Sequence, residues 1–358
     1  LKGLKVKTSR IIPLLGILVL VGLACALPGL GGAESTDTVI PTITNEPVNV
    51  VEPTATVPPQ PTEQPVSQET VSTEASTEQE DIAVIADASY RVDTWDYIVG
   101  IIQNNTEDTI EWLELSVLIY DDSETLIATE SVYPFLDKIA PGETTPFSVS
   151  SDEWAEGSSY EFLVEDYEVA EEPIAEGIEI LSHTSYSDEY DLNLVGEVQN
   201  NSDQPMSFIK VAAAIYAADG TLLNTNYSYV MLNYLHPEEK SPFKIWFSDN
   251  WEDGDTYEIE VQGDYDETAP ATTVQVVDFN DTVEDGICTV TGNAKNTGTT
   301  ELTYGTVVAA FYDSNDQLVD AEWSFTEGDT FPAGATAAFT ITSFSCPEYD
   351  HVEVLAGN

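Results

Sequence analysis

The sequence predicts an all-β chain: three tandem immunoglobulin-like β-sandwich domains after a signal or anchor segment and a disordered stalk. Three observations lead there. One stretch occurs three times at a constant offset of 96 residues. Within each copy apolar and polar residues alternate with period two, which puts alternate side chains on opposite faces of a strand. Turn residues interrupt the alternation about every 8–12 residues, the spacing of short sandwich strands. The expected divisions are 1–33 (export signal or membrane anchor), 34–80 (stalk), and 81–172, 173–270 and 271–358 (the repeats).

The first segment is an address. Lys2, Lys5, Lys7 and Arg10 precede Ile11 to Ala33, a run of 23 residues without a charge. A basic head before an apolar run is an export pattern. Positive charge confined to the head keeps that end in the cytoplasm. Three fates are open. Leu23-Ala24-Cys25 resembles a bacterial lipobox, which would make Cys25 a lipidation site. Ala24-Cys25-Ala26 also satisfies an A-x-A cleavage pattern. The uncharged run is also long enough to span a bilayer uncleaved. All three put the repeats outside the cytoplasmic membrane, and an anchor would hold them at its outer face or at the cell surface.

The second segment has no means of building a core. From Glu34 to about Glu80 it is Thr, Pro, Glu, Val, Ser and Gln, with no aromatic residue before Tyr90. Such a chain cannot bury enough apolar surface to offset the entropy of ordering. Proline and like charges extend it, so a spacer with a reach on the order of 100 Å is expected.

Charge excludes one class of partner. The net charge is −55, and four of the ten Lys and Arg precede the first acid, Glu34. The remaining six face 65 Asp and Glu. Such a surface repels the phosphates of nucleic acids and anionic lipids, so no nucleic-acid partner is expected.

The repeats carry the fold. Gly100/Gly196/Gly292, Asn104/Asn200/Asn296, Tyr120/Tyr216/Tyr312, Leu126/Leu222/Leu318 and Phe147/Phe243/Phe339 are identical in all three copies. The Gly predicts a bulge or a place where a large side chain lies over the backbone. The Asn predicts a turn closing the first strand, since Asn tolerates positive φ and bonds its own backbone. In the next strand Leu113, Leu115, Val117 and Ile119 fall on one face, as do their counterparts in the other copies. The opposite face is also apolar at Ala212, Ala214, Val308 and Ala310, which predicts a central strand or a face covered by a neighbour. Asp121-Asp122-Ser123, Asp219-Gly220 and Asp313 to Asp316 read as hairpin turns. Pro141-Gly142, Pro237-Glu238 and Ala333-Gly334 make the next turn, after which the invariant Phe opens a short strand. A last strand begins near Tyr160, Tyr257 and His351.

The order Gly-x-x-x-Asn, an aliphatic strand ending in Ile/Phe-Tyr, an Asp or Gly turn, Leu, and Phe resembles the FxLYD family of bacterial extracytoplasmic β-sandwich modules. The resemblance covers about residues 80–358, three times over. Val117, Ala213 and Ala309 stand where the family has its first Phe, and Ala217 replaces the Asp in the second copy. The resemblance implies a fold and an extracytoplasmic location, and no general activity.

Chemistry-bearing motifs are sparse. His183, His236 and His351 stand at unmatched positions, and neither zinc-ligand spacing nor a Gly-x-Ser-x-Gly nucleophile motif occurs. No cofactor and no enzymatic activity are expected. Oxygen-rich loops at Asp249, Asp253 and Asp255 and at Asp278 and Asp281 are candidate calcium ligands without EF-hand spacing; ordinary acidic turns are the plainer reading. Cys288 and Cys346, both in the third repeat of an exported chain, are expected to form a disulfide. Trp95, Trp112, Trp154, Trp246, Trp251 and Trp323 are sugar-stacking candidates, although a repeated Trp such as Trp154/Trp251 is more often a core plug. Short hairpin loops predict no obvious cleft. The functional expectation is a non-catalytic binding or scaffolding module of the envelope. It would meet the membrane through its N-terminal anchor and take an unknown protein or glycan partner. A carbohydrate- or calcium-binding adhesion module and a purely structural spacer are the alternatives.

Overall fold

The computed structural model describes residues 81–358 except 153, 155–158, 189–190 and 253–254. The signal or anchor segment with Cys25, and the stalk, lie outside the described residues. Every regular element among the described residues is a strand. Repeat 1 contributes β1 (Ile82–Val92), β2 (Trp95–Asn104), β3 (Ile110–Tyr120), β4 (Leu126–Val132), β5 (Lys138–Ile139), β6 (Thr144–Ser151) and β7 (Ser159–Val169). Repeat 2 contributes β8 (Ile178–Ser187), β9 (Leu192–Asn200), β10 (Met206–Tyr216), β11 (Leu222–Tyr229), β12 (Tyr234–Leu235), β13 (Lys240–Phe247) and β14 (Thr256–Tyr265). Repeat 3 contributes β15 (Val274–Glu284), β16 (Ile287–Asn296), β17 (Thr306–Tyr312), β18 (Leu318–Phe325), β19 (Thr336–Ser343) and β20 (His351–Gly357). There a single Leu302–Phe331 bridge stands in for β5 and β12.

All three repeats have one topology. In repeat 1, β2 lies between β1 and β6, and β3 lies between β4 and β7, with β5 on the start of β3. Every pairing is antiparallel. The two sheets close on a core of Ile98, Ile102 and Phe147 from one side and Leu113, Leu115, Val117 and Ile119 from the other. Repeats 2 and 3 each have their own core built the same way. The period-two face of the central strand is therefore the inward face. Cys288 on β16 is joined by a disulfide to Cys346 in the β19–β20 connection, with Cα atoms 5.4 Å apart.

The invariant residues form two devices. Gly100 pairs across the sheet with Phe147, Gly196 with Phe243 and Gly292 with Phe339. A Cβ on Gly100 would meet the Phe147 ring at 2.5 Å; on Gly196 and Gly292 it would meet the facing ring at 2.6 Å. The neighbouring first strand bulges at the same level, between Val84 and Ala86, Ile180 and Ser182, and Val276 and Asp278. The ring thus lies over a bare backbone, the second of the two expectations for the glycine; the bulge falls on the neighbouring strand instead. The Phe does not open its strand, however. It sits in the middle of β6, β13 or β19, because pairing to the second strand begins three residues earlier.

The second device is the Asn, and it is not a turn residue with positive φ. It is fully buried. Asn200 Nδ2 donates to the carbonyls of Gln204 (2.7 Å) and Leu235 (2.8 Å), and Oδ1 accepts from the Ser202 N–H (2.9 Å) and hydroxyl (2.6 Å). Its backbone N–H and C=O bond Glu239 and Glu238 across the next turn. Asn104 and Asn296 repeat the pattern on Ile139 and Phe331. One amide therefore ties the end of one sheet to the start of the other. Asn200→Ala leaves two carbonyls without donors, at about 1–3 kcal/mol each. Urea denaturation is expected to show repeat 2 destabilised by about 3 kcal/mol or more.

Candidate functional site

The sandwiches dock in series through a second set of matched positions. The fourth strand of one repeat lies across the three-stranded sheet of the repeat before it. At the first junction Ala86, Ala88, Tyr90, Val99 and Ile101 pack on Ala214, Tyr216 and Leu222. At the second, Tyr186 and Val195 pack on Ala310, Tyr312 and Leu318. Tyr90 donates to Asn224 (3.0 Å), and Tyr186, 96 residues on, donates to Asp320 (2.9 Å). The invariant Leu is thus a docking residue: Leu222 and Leu318 are 3% and 1% exposed, whereas Leu126 is 50% exposed. No sandwich among the described residues precedes repeat 1. On the outward sheet of repeat 3 the donor positions hold Asp278, Asn280, Thr282, Thr291 and Asn293.

Scarce cations fasten the junctions. Lys210, Lys240 and Lys244, three of the six Lys and Arg after Glu34, make ion pairs between repeats. Lys244 reaches Asp320 at 2.9 Å and Glu322 at 2.7 Å. Asp320 has no exposed surface and also accepts from Tyr186 and from the Ser343 hydroxyl (2.6 Å). Burial alone would lower the Lys244 pKa, but Asp320 and Glu322 beside it raise it overall. At Glu322 burial outweighs Lys244 and raises the carboxyl above its ordinary value. Lys240 pairs with Glu197 (3.0 Å) and Glu353 (3.5 Å) in the same interface.

Beside this second junction opens a groove of about 750 Å³, contrary to the expectation of no cleft. One sandwich alone does not make it. Phe208, Tyr229 and Trp246 come from repeat 2, and Tyr304, Trp323 and Phe325 from repeat 3. The rings form a connected set on the repeat 3 side: Tyr304 lies 4.1 Å from Phe325, and Trp323 meets Phe325 edge-on at 5.0 Å. Polar groups stand among them, namely Ser228, Asn233, Thr306, Lys244 and Glu322. Thr306 Oγ1 is buried and has no hydrogen-bond partner.

The first junction is the same site filled in. Lys210 stands 96 residues before Thr306, and its ammonium lies over the rings of Tyr227 (5.4 Å) and Tyr229 (5.6 Å) while bonding Asp137 (3.1 Å). Phe135 closes on Tyr227 at 4.8 Å. A small cavity beside Lys210 there has no room for a water-sized body. A long cation at one junction matches a short hydroxyl at the other, and Phe135 and Asp137 match Met231 and Asn233.

Two groove residues, Phe208 and Tyr304, share a repeat position with Trp112, the one member that the sequence reading singled out. Trp112, Phe208 and Tyr304 are 96 residues apart, one to a repeat. Trp112 and Phe208 are 75% and 67% exposed and have φ of 56° and 51°, at bulges in β3 and β10. A bulky aromatic in left-handed backbone is uncommon and costly. The readable signal was an aromatic at a constant offset.

The other candidates fall elsewhere. Of the six tryptophans, Trp246 and Trp323 are brought together in the groove. Trp154 is buried in the core of repeat 1, and Trp251 packs against that of repeat 2. Asp278 accepts from the Asn293 amide (2.8 Å) and Asp281 from the Tyr349 hydroxyl (2.6 Å). The Asp255 carboxylate accepts from the Glu252 N–H (2.7 Å), the Asp249 carbonyl accepts from Asn224, and Asp253 lies outside the described residues. Among the described residues no cluster of three or more His, Cys, Asp or Glu could hold a metal ion. Compared with known proteins, the chain matches no family model and no curated protein sequence.

Two outcomes follow for the junctions. Lys244→Met leaves the buried Asp320 carboxylate without its cation, a loss of about 3 kcal/mol or more. Limited proteolysis is expected to cut the connection between β14 and β15 faster in that variant. At the first junction burial raises Glu260 to about 7, helped by Glu143 and Glu258 and opposed by the Thr144 hydroxyl that bonds it. The folded protein holds this proton more tightly than the unfolded chain, so Glu260's contribution to stability is full below pH ~4.5 and is lost as the pH rises through about 7. Thermal melts of Glu260→Gln are expected to show a gain at pH 8 and none at pH 4.

Proposed function

We propose that this chain is a non-catalytic binding module of the bacterial envelope. It is exported and tethered by its N-terminal segment, held off the membrane by the stalk, and equipped with one ligand site between repeats 2 and 3. The observation that carries the reading is the groove. Its ring-lined walls come from two sandwiches fixed to each other by ion pairs and a buried apolar contact. Pre-formed, mostly apolar concavities with a few polar groups are where proteins bind small ligands and chain ends. The basic head, uncharged run and Pro-rich stalk support display outside the cytoplasm, and the FxLYD-like pattern of the repeats agrees with it.

Thr306→Lys combined with Asn233→Asp supplies the test, because the first junction carries this pair as Lys210 and Asp137. Purified full-length protein is titrated with a soluble extract of the cell envelope while tryptophan emission is followed. A saturable change is expected in the wild type and its loss in the variant, with an unchanged melting midpoint. An equal response from both proteins, or none from the wild type, overturns the reading.

A further inference from the structure

We infer that the groove is a saccharide site that takes a neutral, β-linked glycan chain. This deepens the binding-module reading and rests on it.

The first argument is the mixture of surfaces. A pyranose has an apolar face of C–H groups and an edge of hydroxyls. The C–H face carries slight positive charge and stacks on the negative face of an aromatic ring. The groove offers rings on both sides: Phe208, Tyr229 and Trp246 on one, Tyr304, Trp323 and Phe325 on the other. Between them stand a hydroxyl, an amide and a carboxylate from Thr306, Asn233 and Glu322. Glu322 is already paired with Lys244 and the Asn233 amide with the Asn358 carbonyl, but a lipid tail would strip water from their remaining polar atoms at a cost.

The second argument is Thr306. Thr306 lines the groove, and its Oγ1 is buried without a partner. A buried hydroxyl that bonds nothing is costly, and rotation of the side chain toward the groove would let a ligand hydroxyl satisfy it. At the first junction, where the groove is filled, the equivalent residue is Lys210 and its ammonium bonds Asp137. The polar vacancy and the empty space occur at the same junction.

The third argument is charge. The chain carries a net charge of −55, and the one lysine lining the groove, Lys244, is already paired with Asp320 and Glu322. Uronate and phosphate polymers are therefore repelled, whereas a neutral chain meets no barrier. Equatorial β-linkages flatten such a chain into a ribbon with apolar faces on both sides, which suits walls of rings on both sides.

Full-length protein titrated with cellohexaose and chitohexaose is expected to show a saturable change in tryptophan emission with at least one of them, at up to millimolar concentration. Trp323→Ala should weaken binding by about tenfold, the worth of one stacked ring, and Thr306→Lys combined with Asn233→Asp should abolish it. An oligogalacturonate of equal length should not compete. In the envelope-extract titration, periodate oxidation of the extract should remove the response and protease treatment should not. Silence toward both neutral oligosaccharides, or competition by the uronate, overturns the saccharide assignment. So does a response that protease removes and periodate spares; that result keeps the binding module and makes its ligand a peptide. No response to any extract overturns both readings.

Discussion

The ammonium of Lys244, held between a fully buried Asp320 and Glu322, is the contact on which the rest of the arrangement depends. Buried ion pairs add little net stability, because desolvating two charges costs nearly what their attraction returns. Their effect is on geometry. An aspartate inside the interface tolerates only the docking angle that brings a cation to it. Repeats 2 and 3 consequently meet in one way, and the groove between them has one shape. In a chain with six cations to 65 acids beyond its N-terminal segment, placing three of the six at junctions is a strong selection of where charge goes.

Within each sandwich the logic is local and was largely readable. A residue without a side chain opposite a phenylalanine is a pair that sequence displays directly, since both members belong to one repeat and both are invariant. The inward stripe of the central strand was readable for the same reason. Its other face, Ala212, Ala214, Val308 and Ala310, announced a cover without saying what supplied it. The asparagine ends its strand and bonds the backbone two residues on, as expected, but its burial and its bridging of two carbonyls were not readable, because exposed turns and buried bridging amides use the same residue. Only the partners, Leu235 and Gln204 for Asn200, tell the two apart.

The groove was not readable, and the reason is geometric. Its walls belong to two repeats, so no window of sequence contains it. The informative comparison is between positions rather than along the chain. Lys210 becomes Thr306, and an aromatic persists through Trp112, Phe208 and Tyr304 while the rest of the surface drifts. The repeats form two matched junctions, and side-chain changes at several matched positions, Lys210 to Thr306 and Phe135 to Met231 among them, accompany one closed and one open.

The docking contact is heterologous: one surface of a sandwich meets a different surface of the next, and such contacts repeat without limit unless something stops them. Asp278, Asn280, Thr282, Thr291 and Asn293 stand on repeat 3 where repeat 1 offers Ala86, Ala88, Tyr90, Val99 and Ile101. An apolar fourth strand gains nothing by lying on that polar sheet. Repeat 3 therefore presents at this place a polar sheet, where the first junction is built on an apolar one.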